Sequence, residues 1–357
     1  MNRAKINSPQ GKMRFSNQIG QKLLERNFLL FVTIALFIAM YIAGLIAYKD
    51  KNFGNVQTFL NLFTSNAGLI IVSVGMTMVL ITGGIDISVG SVVAVTCMML
   101  AAMMERAGIG AAPAMSIVLL FGLAFGAAQG WLISYLNIQP FIVTLAGMFF
   151  ARGLTAVISL EMITITNETF LAIAQKRIYL PFGGYLNRKG VMIYPYIYPT
   201  VVMAIVIVII AYLMLKYTKF GRSIYAVGGR EQSARLMGLN VKRTKFFVYI
   251  LNGLLSALGG IAFCLNTTGA FVELARGFEM DAIAATVIGG TPLTGGVGNV
   301  YGSLFGVLIK ALIETFVSFQ GNISSWWSKI IISALLAFFI VLQNLLVRRK
   351  NKTKSAT

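Results

Sequence analysis

Apolar stretches long enough to cross a bilayer alternate along the chain with short polar or basic connections. A helix needs roughly 20 apolar residues to span the hydrocarbon core. The pattern predicts ten such helices, with approximate bounds 28–47, 58–82, 88–106, 111–135, 140–160, 195–216, 246–267, 280–293, 299–318 and 328–346. The predicted fold is all-α, a polytopic membrane protein of about ten transmembrane helices.

Composition agrees with this prediction and removes several kinds of chemistry. Of 357 residues, 57% are hydrophobic and 11% are charged, with a mean hydropathy of +0.79. Soluble globular proteins carry about 25% charged residues. Histidine is absent, which removes the commonest switchable base and a common zinc ligand. Cys97 and Cys264 both lie within apolar stretches, so no disulfide framework is predicted.

The formal net charge of +19 is concentrated in three short segments. Nineteen of the 30 Lys and Arg residues lie before residue 27, within 216–245 or from Arg348 onward. Clusters that flank apolar spans follow the positive-inside pattern rather than that of a nucleic-acid-binding surface. Ten crossings place all three segments on one side, which we predict to be the cytoplasm.

The predicted organisation follows from these spans and charges. A basic cytoplasmic segment covers 1–27, a transmembrane domain 28–346 and a basic cytoplasmic tail 347–357. Within the transmembrane domain, the loop 217–245 is predicted to be cytoplasmic and the loop 161–194 external.

A carboxylate lies among glycines in the segment Gly83-Gly84-Ile85-Asp86-Ile87-Ser88-Val89-Gly90-Ser91. Glycine permits irregular backbone, which at membrane depth occurs only where it is buried in protein or lines a cavity. We expect Gly83, Gly84, Asp86, Ser88 and Gly90 to form a hinge or to line a path. Asp86 has two open interpretations: a hydrogen-bond acceptor in the path, or a cap at a helix start.

A second glycine-rich segment follows Asp281 and contains Gly289, Gly290, Gly295 and Gly296. With five crossings in each half, matching halves would be inverted, and inverted halves with broken helices are typical of transporters. We call the segment 83–91 the first break, and we expect these five residues to be its counterpart. Asp281 has the same two interpretations as the first acid.

Further polar residues and glycines lie inside predicted spans. Arg152 is expected to pair with a carboxylate or to face the path. Glycines repeat every four residues from Gly122 to Gly130 and from Gly298 to Gly306, which predicts close helix packing. Lys310 and Glu314 are four residues apart and are predicted to pair. Intramembrane amides at Asn252 and Asn266 are expected to form hydrogen bonds between helices.

The basic loop contains a candidate short helix over 231–237, with Gly238 well placed to end it. Two turns are not stable alone in water. We therefore expect this helix to pack on another element.

Three stretches resemble the permease subunits of bacterial ABC importers for monosaccharides of the ribose/xylose/galactose type. Gly83–Ser91 resembles the family's Gly-Gly-Ile-Asp-Leu-Ser-Val-Gly-Ser, with Ile87 in place of Leu. Tyr225–Asn240 resembles Tyr-Ala-Ile-Gly-Gly-Asn followed by Ala-Ala-x-x-x-Gly-Ile-Asn. Asp281–Gly296 resembles Asp-Ala-Ile-Ala-Ala-x-Val-Ile-Gly-Gly-Thr-x-Leu-x-Gly-Gly. The similarity covers residues 55–346.

Two further stretches, Pro140–Phe150 and Ser324–Lys329, are similar to one branch of that family, the galactofuranose importer. In that branch two different permeases pair. The resemblance leaves open which monosaccharide is carried and whether the permease dimer is homomeric.

The resemblance implies a bacterial inner-membrane subunit that pairs with a second copy or with a paralogous permease. ATPase subunits would bind at the cytoplasmic face, and a periplasmic or extracellular sugar-binding protein would deliver the monosaccharide. The loop helix would be the coupling helix that contacts the ATPase. Its candidate contact residues are Arg230, Gln232, Ser233, Ala234, Arg235 and Gly238. Gln232 and Ser233 depart from the family's Glu-Ala-Ala-x-x-x-Gly pattern at its first two positions.

The sequence favours an ABC permease over two other classes of protein, a secondary transporter and a membrane enzyme. The chain contains no Gly-x-x-x-x-Gly-Lys-[Ser/Thr] phosphate loop. ATP and Mg²⁺ are therefore expected on a partner ATPase, with no cofactor or metal ion in this chain. An ion-coupled secondary sugar transporter would use membrane carboxylates, but it leaves the loop helix without a role. A membrane enzyme would need a nucleophile with its activating residues, and the sequence contains no histidine and no such constellation.

Overall fold

A computed structural model describes residues 29–186, 192–321, 324 and 326–355. The predicted basic segment 1–27 lies outside these residues. The side chains of the predicted tail 347–357 also lie outside the description, although the backbone helix continues through Ser355.

Helices carry most of the described chain. They are α1 (Leu29–Ala47), α2 (Val56–Ile81), α3 (Val89–Glu105), α4 (Ala111–Ser134), α5 (Pro140–Ile158), α6 (Glu168–Gln175), α7 (Pro199–Tyr217), α8 (Lys219–Gly229), α9 (Glu231–Leu236), α10 (Val241–Thr267), α11 (Phe278–Ile288), α12 (Val300–Gln320) and α13 (Trp326–Ser355), with a 3-10 turn at Lys49–Lys51. Within the described residues, seven helices are long and apolar enough to cross a membrane: α1, α2, α4, α5, α7, α10 and α12. The other three predicted spans contain the shorter helices α3 and α11 and the apolar part of α13, Trp326–Leu342. The all-α polytopic fold is confirmed.

The predicted external loop contains short ordered elements. Its strands are β1 (Ile163–Thr164), β2 (Ile178–Tyr179), β3 (Tyr185–Leu186) and β4 (Met192–Ile193), followed by β5 (Tyr196–Ile197) and, after α10, by β6 (Gly269–Ala270). The antiparallel pairs are β1–β6, β2–β5 and β3–β4. The β1–β6 pair fixes this loop to the end of α10.

Helices α2 and α10 form the centre of the bundle. They run antiparallel, because Asn266 near the end of α10 donates to the carbonyl oxygen of Thr64 near the start of α2 at 2.8 Å. In the apolar 18-residue stretch of each helix, 89% of the residues are buried in α2, against 17% in α1 and 22% in α5. The exposed apolar side chains of these outer helices suit contact with lipid. The predicted interhelical hydrogen bond of Asn266 is confirmed.

The glycine repeat from Gly122 to Gly130 packs α4 against α10, as predicted. A Cβ at Gly126 would overlap the carbonyl oxygen of Tyr249 in α10. In the second repeat, only Gly302 and Gly306 pack a helix, because Gly298 precedes the start of α12.

Helices α3 and α11 each begin inside the bundle after a non-helical segment, 82–88 for α3 and 271–277 for α11. The units α2–α3 and α10–α11 therefore repeat with opposite direction, an arrangement found in inverted-repeat transporters. Their N-termini meet, since a Cβ at Gly90 would overlap the Glu279 carboxylate and lie 3.0 Å from its amide nitrogen.

The expected correspondence between the two glycine-rich segments is wrong. Residues 289–299 follow α11, and the counterpart of the first break is 271–277, before α11. The two glycine segments instead touch each other: the amide of Gly296 donates to the carbonyl oxygen of Ile81 at 2.8 Å, and a Cβ at Gly295 would lie 2.8 Å from the amide nitrogen of Gly83. Glycine content reports irregular backbone, but it does not distinguish a segment before a half-helix from one after it.

Candidate functional site

Asp86 accepts three hydrogen bonds inside the bundle and is only 2% exposed. Its Oδ1 accepts from the amide of Ser88 at 2.8 Å and from the hydroxyl of Ser88 at 2.6 Å. Its Oδ2 accepts from Nδ2 of Asn252 in α10 at 2.7 Å. The Ser88 hydroxyl accepts from Nε2 of Gln129 in α4 at 3.0 Å. This network, called here the Asp86 network, joins the first break to two neighbouring helices.

The N-cap residue of α3 is Ser88, not Asp86. Asp86 instead bonds the residue two positions further on, a local turn that Asp side chains favour. The preceding glycines allow this turn. Gly83 has a φ of +80°, and a Cβ at Gly84 would lie 2.5 Å from the hydroxyl oxygen of Tyr249. Because Asp86 is buried, it does not line an open path in this structure.

Arg152 forms hydrogen bonds to the non-helical segment 271–277, called here the second break, and not to a carboxylate. Its Nη1 donates to the carbonyl oxygens of Val272 and Leu274, each at 2.8 Å. Among the described residues Arg152 forms no salt bridge, so the expected pairing is corrected. Its guanidinium donors satisfy backbone carbonyls that the non-helical segment leaves without ladder partners.

Asp281, Lys310 and Glu314 form a charged cluster between α11 and α12. The Lys310 ammonium lies 2.8 Å from Oε1 of Glu314, 3.5 Å from Oδ2 of Asp281 and 3.3 Å from Oδ1 of Asn66. The predicted pair of Lys310 and Glu314 is confirmed. Asp281 is not a helix cap, because α11 begins at Phe278 with Gly277 as its N-cap residue.

The charged cluster is only partly covered. The Lys310 side chain is 11% exposed, whereas those of Asp281 and Glu314 are 27% and 43% exposed. Two carboxylates against one ammonium leave a net negative rim with free acceptor positions. Charges at membrane depth usually face the protein interior or water rather than lipid, so this rim requires water or a protein neighbour.

The basic loop folds into the two helices α8 and α9. The short helix predicted over 231–237 is confirmed as α9, and Gly238 follows it with a φ of +79°. Ala234 is fully buried between Val227 and Val241, which supplies the packing surface that a two-turn helix needs. The helix α8 was not predicted.

Glu231 anchors α9 to the start of α10. Its carboxylate lies 2.7 Å from Nζ of Lys245 and 3.3 Å from Nη2 of Arg235. The hydrogen bond from Lys245 holds the pKa of Glu231 below its ordinary value.

The helix α8 connects the loop to both glycine segments. A Cβ at Gly228 would overlap the carbonyl oxygen of Ile81, at the end of α2. The Tyr225 hydroxyl donates to the carbonyl oxygen of Gly298 at 2.9 Å. The helix α8 is therefore in direct contact with the residue that precedes the first break and with the segment 289–299.

The outer side of α9 exposes apolar groups. Leu236 is 89% exposed and Met237 is 68% exposed. Of the sequence candidates, Arg230, Gln232 and Arg235 are also exposed, whereas Ser233 is partly covered and Ala234 is buried. Two large apolar side chains at the end of a basic loop form a surface suited to a protein partner.

Two polar residues of these clusters, Gln129 and Asn66, were not predicted. Both are polar residues inside predicted apolar spans, which is the signal that the sequence offers. Asn252 was expected to form an interhelical hydrogen bond, and its amide instead reaches Asp86 in the non-helical segment. Within the described residues, no group of His, Cys, Asp or Glu side chains has an arrangement that could hold a metal ion.

Comparison with known proteins identifies the family. A family model described as the permease component of a branched-chain amino acid transport system matches residues 58–340. The chain belongs to this permease family. The inner membrane ABC transporter permease protein YjfF of Escherichia coli is 41% identical over 90% of this chain and 93% of its own length.

Two further relatives support the assignment. The fructose import permease protein FruG of Bifidobacterium longum is 37% identical, over 87% of this chain and 88% of its own length. The ribose import permease protein RbsC of Escherichia coli is 33% identical, over 87% of this chain and 92% of its own length. No solved structure matches the chain.

The family match includes both breaks and the α8–α9 element. As an ABC permease, the chain is a non-enzymatic membrane subunit, and ATP hydrolysis belongs to separate subunits. An ATPase and a substrate-binding protein are the general partners of such a permease. The alternative of a membrane enzyme is thereby removed.

Proposed function

We propose that this permease carries a monosaccharide into the cytoplasm, and that galactofuranose is the first substrate to test. Relatives named for fructose and ribose import support a sugar. The stretches Pro140–Phe150 and Ser324–Lys329 resemble the galactofuranose branch, although residue 325 lies outside the described residues. ATP and Mg²⁺ would be bound by the partner ATPase, with no cofactor in this chain.

A branched-chain amino acid is the competing substrate, because the family description names that class. The carboxylate rim of the charged cluster can accept hydrogen bonds from sugar hydroxyl groups, and the relatives named for fructose and ribose import favour a sugar over an amino acid. The test is uptake into proteoliposomes that contain the permease, its ATPase and its binding protein. We expect ATP-dependent accumulation of galactofuranose or another monosaccharide. Accumulation of leucine alone would contradict the proposal.

The surface of α9 carries the proposal of coupling to an ATPase. The helix is held at its base by Ala234 and by the Glu231–Lys245 pair, and it presents Leu236 and Met237 outward. Arg230, Gln232 and Arg235 would contribute polar contacts around this apolar centre. Because α8 contacts the end of α2, movement of the ATPase would reach the first break.

The coupling proposal is tested by co-purification of the ATPase with a variant that carries Leu236→Ser and Met237→Ser. We expect loss of ATPase association with normal permease yield, because both side chains are exposed and contribute little to the fold. Leu160→Ser is the matched control, since Leu160 is 81% exposed beyond the other end of the bundle. Retained association in the double variant, or equal loss in the control, would contradict the assignment.

We infer that the charged cluster faces the sugar path, whereas the Asp86 network is structural. The partial exposure of Asp281 and Glu314 supports this division. Gly83, Gly84 and Gly90, with Gly289, Gly290, Gly295 and Gly296, would then act as hinge residues around the path. Ser88 would position Asp86, and Arg152 would hold the segment before α11.

Glu314→Gln tests the path proposal, because it keeps the size of the side chain while removing one acceptor charge. We expect reduced sugar uptake with intact ATPase association. Unchanged uptake at subsaturating sugar would place the path elsewhere.

The permease would pair with a second copy or with a paralogue in a bacterial inner membrane, with both termini in the cytoplasm. The orientation is tested by labelling the variants Lys5→Cys and Lys354→Cys from each side of the membrane. Uptake by this chain alone, driven by an ion gradient, would favour the alternative of a secondary sugar transporter.

A further inference from the structure

A cavity of about 560 Å³ lies at the α8 end of the bundle, apart from the Asp86 network and the charged cluster. The end of α7, the helix α8, the start of α12 and the start of α1 surround it. Lys216 and Arg222 line the cavity, and among the described residues none that lines it is acidic. The cavity therefore combines positive charge with the size of a small-molecule site.

The two cationic side chains retain donors for an anion. The Lys216 ammonium donates to the hydroxyl of Tyr212 at 2.8 Å and lies 5.1 Å from the ring centroids of Tyr212 and Tyr217. The Tyr217 side chain accepts a second hydrogen bond from Lys216; an ammonium has three N–H groups, so one remains beyond these bonds. Arg222 makes a long hydrogen bond of 3.4 Å to the Tyr217 carbonyl oxygen, and its guanidinium has five N–H groups in all.

The helix termini around the cavity do not determine its sign. Asn299 and Val300 bring the positive end of α12 to the lining, whereas Gly289 and Gly290 bring the negative end of α11. These partial charges offset one another. The electrostatic preference for an anion therefore depends on the two basic side chains.

The surroundings of the cavity indicate a ligand that arrives from the membrane. A row of exposed apolar side chains runs along α7 toward Lys216: Val202, Ile205, Val206, Ile209, Ile210 and Leu213. Tyr212 and Tyr217 lie at the end of this row, and tyrosine is enriched where a membrane meets water. Leu29 and Leu30 of the outer helix α1 line the other side. A phosphate at the cavity would thus have apolar protein surface beside it for acyl chains.

We propose that this cavity binds the phosphate headgroup of an anionic phospholipid. Lys216 and Arg222 would donate hydrogen bonds to the phosphate, and the acyl chains would lie along α7. Basic pockets between membrane helices are suited to such headgroups. The bound lipid would touch α7, α8 and the segment 289–299 together, because all three line the cavity.

The test measures lipid retention on the full-length purified permease by native mass spectrometry. Phosphatidylglycerol and phosphatidylcholine are added in equal amounts, because they differ in headgroup charge at the same acyl length. We expect selective retention of phosphatidylglycerol by the wild type. The variant with Lys216→Gln and Arg222→Gln should lose about 30-fold in affinity, about fivefold for each basic residue.

Two further variants separate the proposal from loss of fold or of general charge. A variant with Lys219→Gln and Lys242→Gln removes two nearby basic residues that do not line the cavity and should retain the lipid. A variant with Lys216→Arg and Arg222→Lys keeps both charges and should also retain it. Equal retention of the two lipids, or retention of phosphatidylglycerol by the glutamine variant of Lys216 and Arg222, would overturn the proposal.

Inorganic phosphate distinguishes a lipid site from a site for a free anion. We expect millimolar phosphate to leave phosphatidylglycerol bound, because the acyl chains contribute to its affinity. Complete displacement would identify a soluble anion as the ligand and refute the lipid assignment.

Discussion

Replacement of Asp86 separates the effect of its charge from that of its hydrogen bonds. In Asp86→Ala, the buried amide of Ser88 and Nδ2 of Asn252 lose their acceptor. The Ser88 hydroxyl retains a second acceptor, Oε1 of Gln129 at 3.4 Å. Each buried donor left unsatisfied costs ~1–3 kcal/mol, so the two together cost ~2–6 kcal/mol.

Asp86→Asn removes the same charge but keeps the acceptor for Ser88. The introduced amide oxygen can accept both bonds from Ser88. Its amide NH₂ faces Nδ2 of Asn252, and a turn of the Asn252 amide brings Oδ1, which is buried without a hydrogen-bond partner, to accept from it. That turn leaves Nδ2 of Asn252 without its acceptor, as it is in Asp86→Ala. The difference between the Asn and Ala variants therefore measures the acceptor for Ser88, because the charge is absent from both.

A reciprocal exchange tests the pairing directly. Asn252→Asp alone places two carboxyl groups in contact and is expected to destabilise the protein. The double variant with Asp86→Asn and Asn252→Asp restores one acid and one amide and should recover most of the loss. Recovery beyond the sum of the single effects is the coupling of the two positions.

The assay is the thermal denaturation midpoint in detergent at one fixed scan rate, with size-exclusion profiles before heating. The expected order is wild type close to the double exchange, followed by Asp86→Asn, with Asp86→Ala lowest. Equal midpoints for the Ala and Asn variants would refute the hydrogen-bond argument. Normal melting with lost transport in Asp86→Asn would indicate that the acid contacts the sugar.

Three other changes have expected outcomes from single contacts. Gly228→Leu should push α8 off the end of α2, with an overpacking cost of ~1–3 kcal/mol, and should reduce ATPase-coupled uptake; Gly229→Leu is its control, because nothing lies within 4 Å of a Cβ there. Gly126→Leu should lower the denaturation midpoint by separating α4 from α10, whereas Gly153→Leu, with open space, should not. The lowered folded-state pKa of Glu231 means that its anchoring of α9 is fully present above the ordinary pKa of about 4.3 and is lost as pH falls through the lower folded value. The protection factors of the α9 amides, which correct for the intrinsic exchange rate at each pH, should therefore not change through this pair between pH 7 and 6 and should fall on acidification below pH 4, a step that Glu231→Gln should lack.

Much of the architecture was predictable because the bilayer limits it so strongly. Each of the ten predicted spans contains a helix, and α9 with its terminal Gly238 lies where the loop composition placed it. Helix packing through the glycine repeat at 122–130 was also predictable, since small residues four apart lie on one helix face. These are local properties of the chain.

The partners of the polar residues were far less predictable. Arg152 was expected to pair with a carboxylate or to face the path, and its guanidinium bonds two carbonyl groups, because the position of 271–277 depends on how α10 and α11 pack. The break before α11 was missed for the same reason: that segment carries less glycine than 289–296.

The sequence by itself determined that this protein is a membrane bundle, where its helices cross, and that Asp86 lies in irregular backbone. Run length, charge and glycine content suffice for this, because the hydrocarbon core penalises every unpaired polar group. Only the tertiary structure decided which partners Asp86 has. One of its two carboxylate oxygens accepts from an amide 166 residues away in the chain, and only the antiparallel packing of α2 and α10 brings such distant residues into contact.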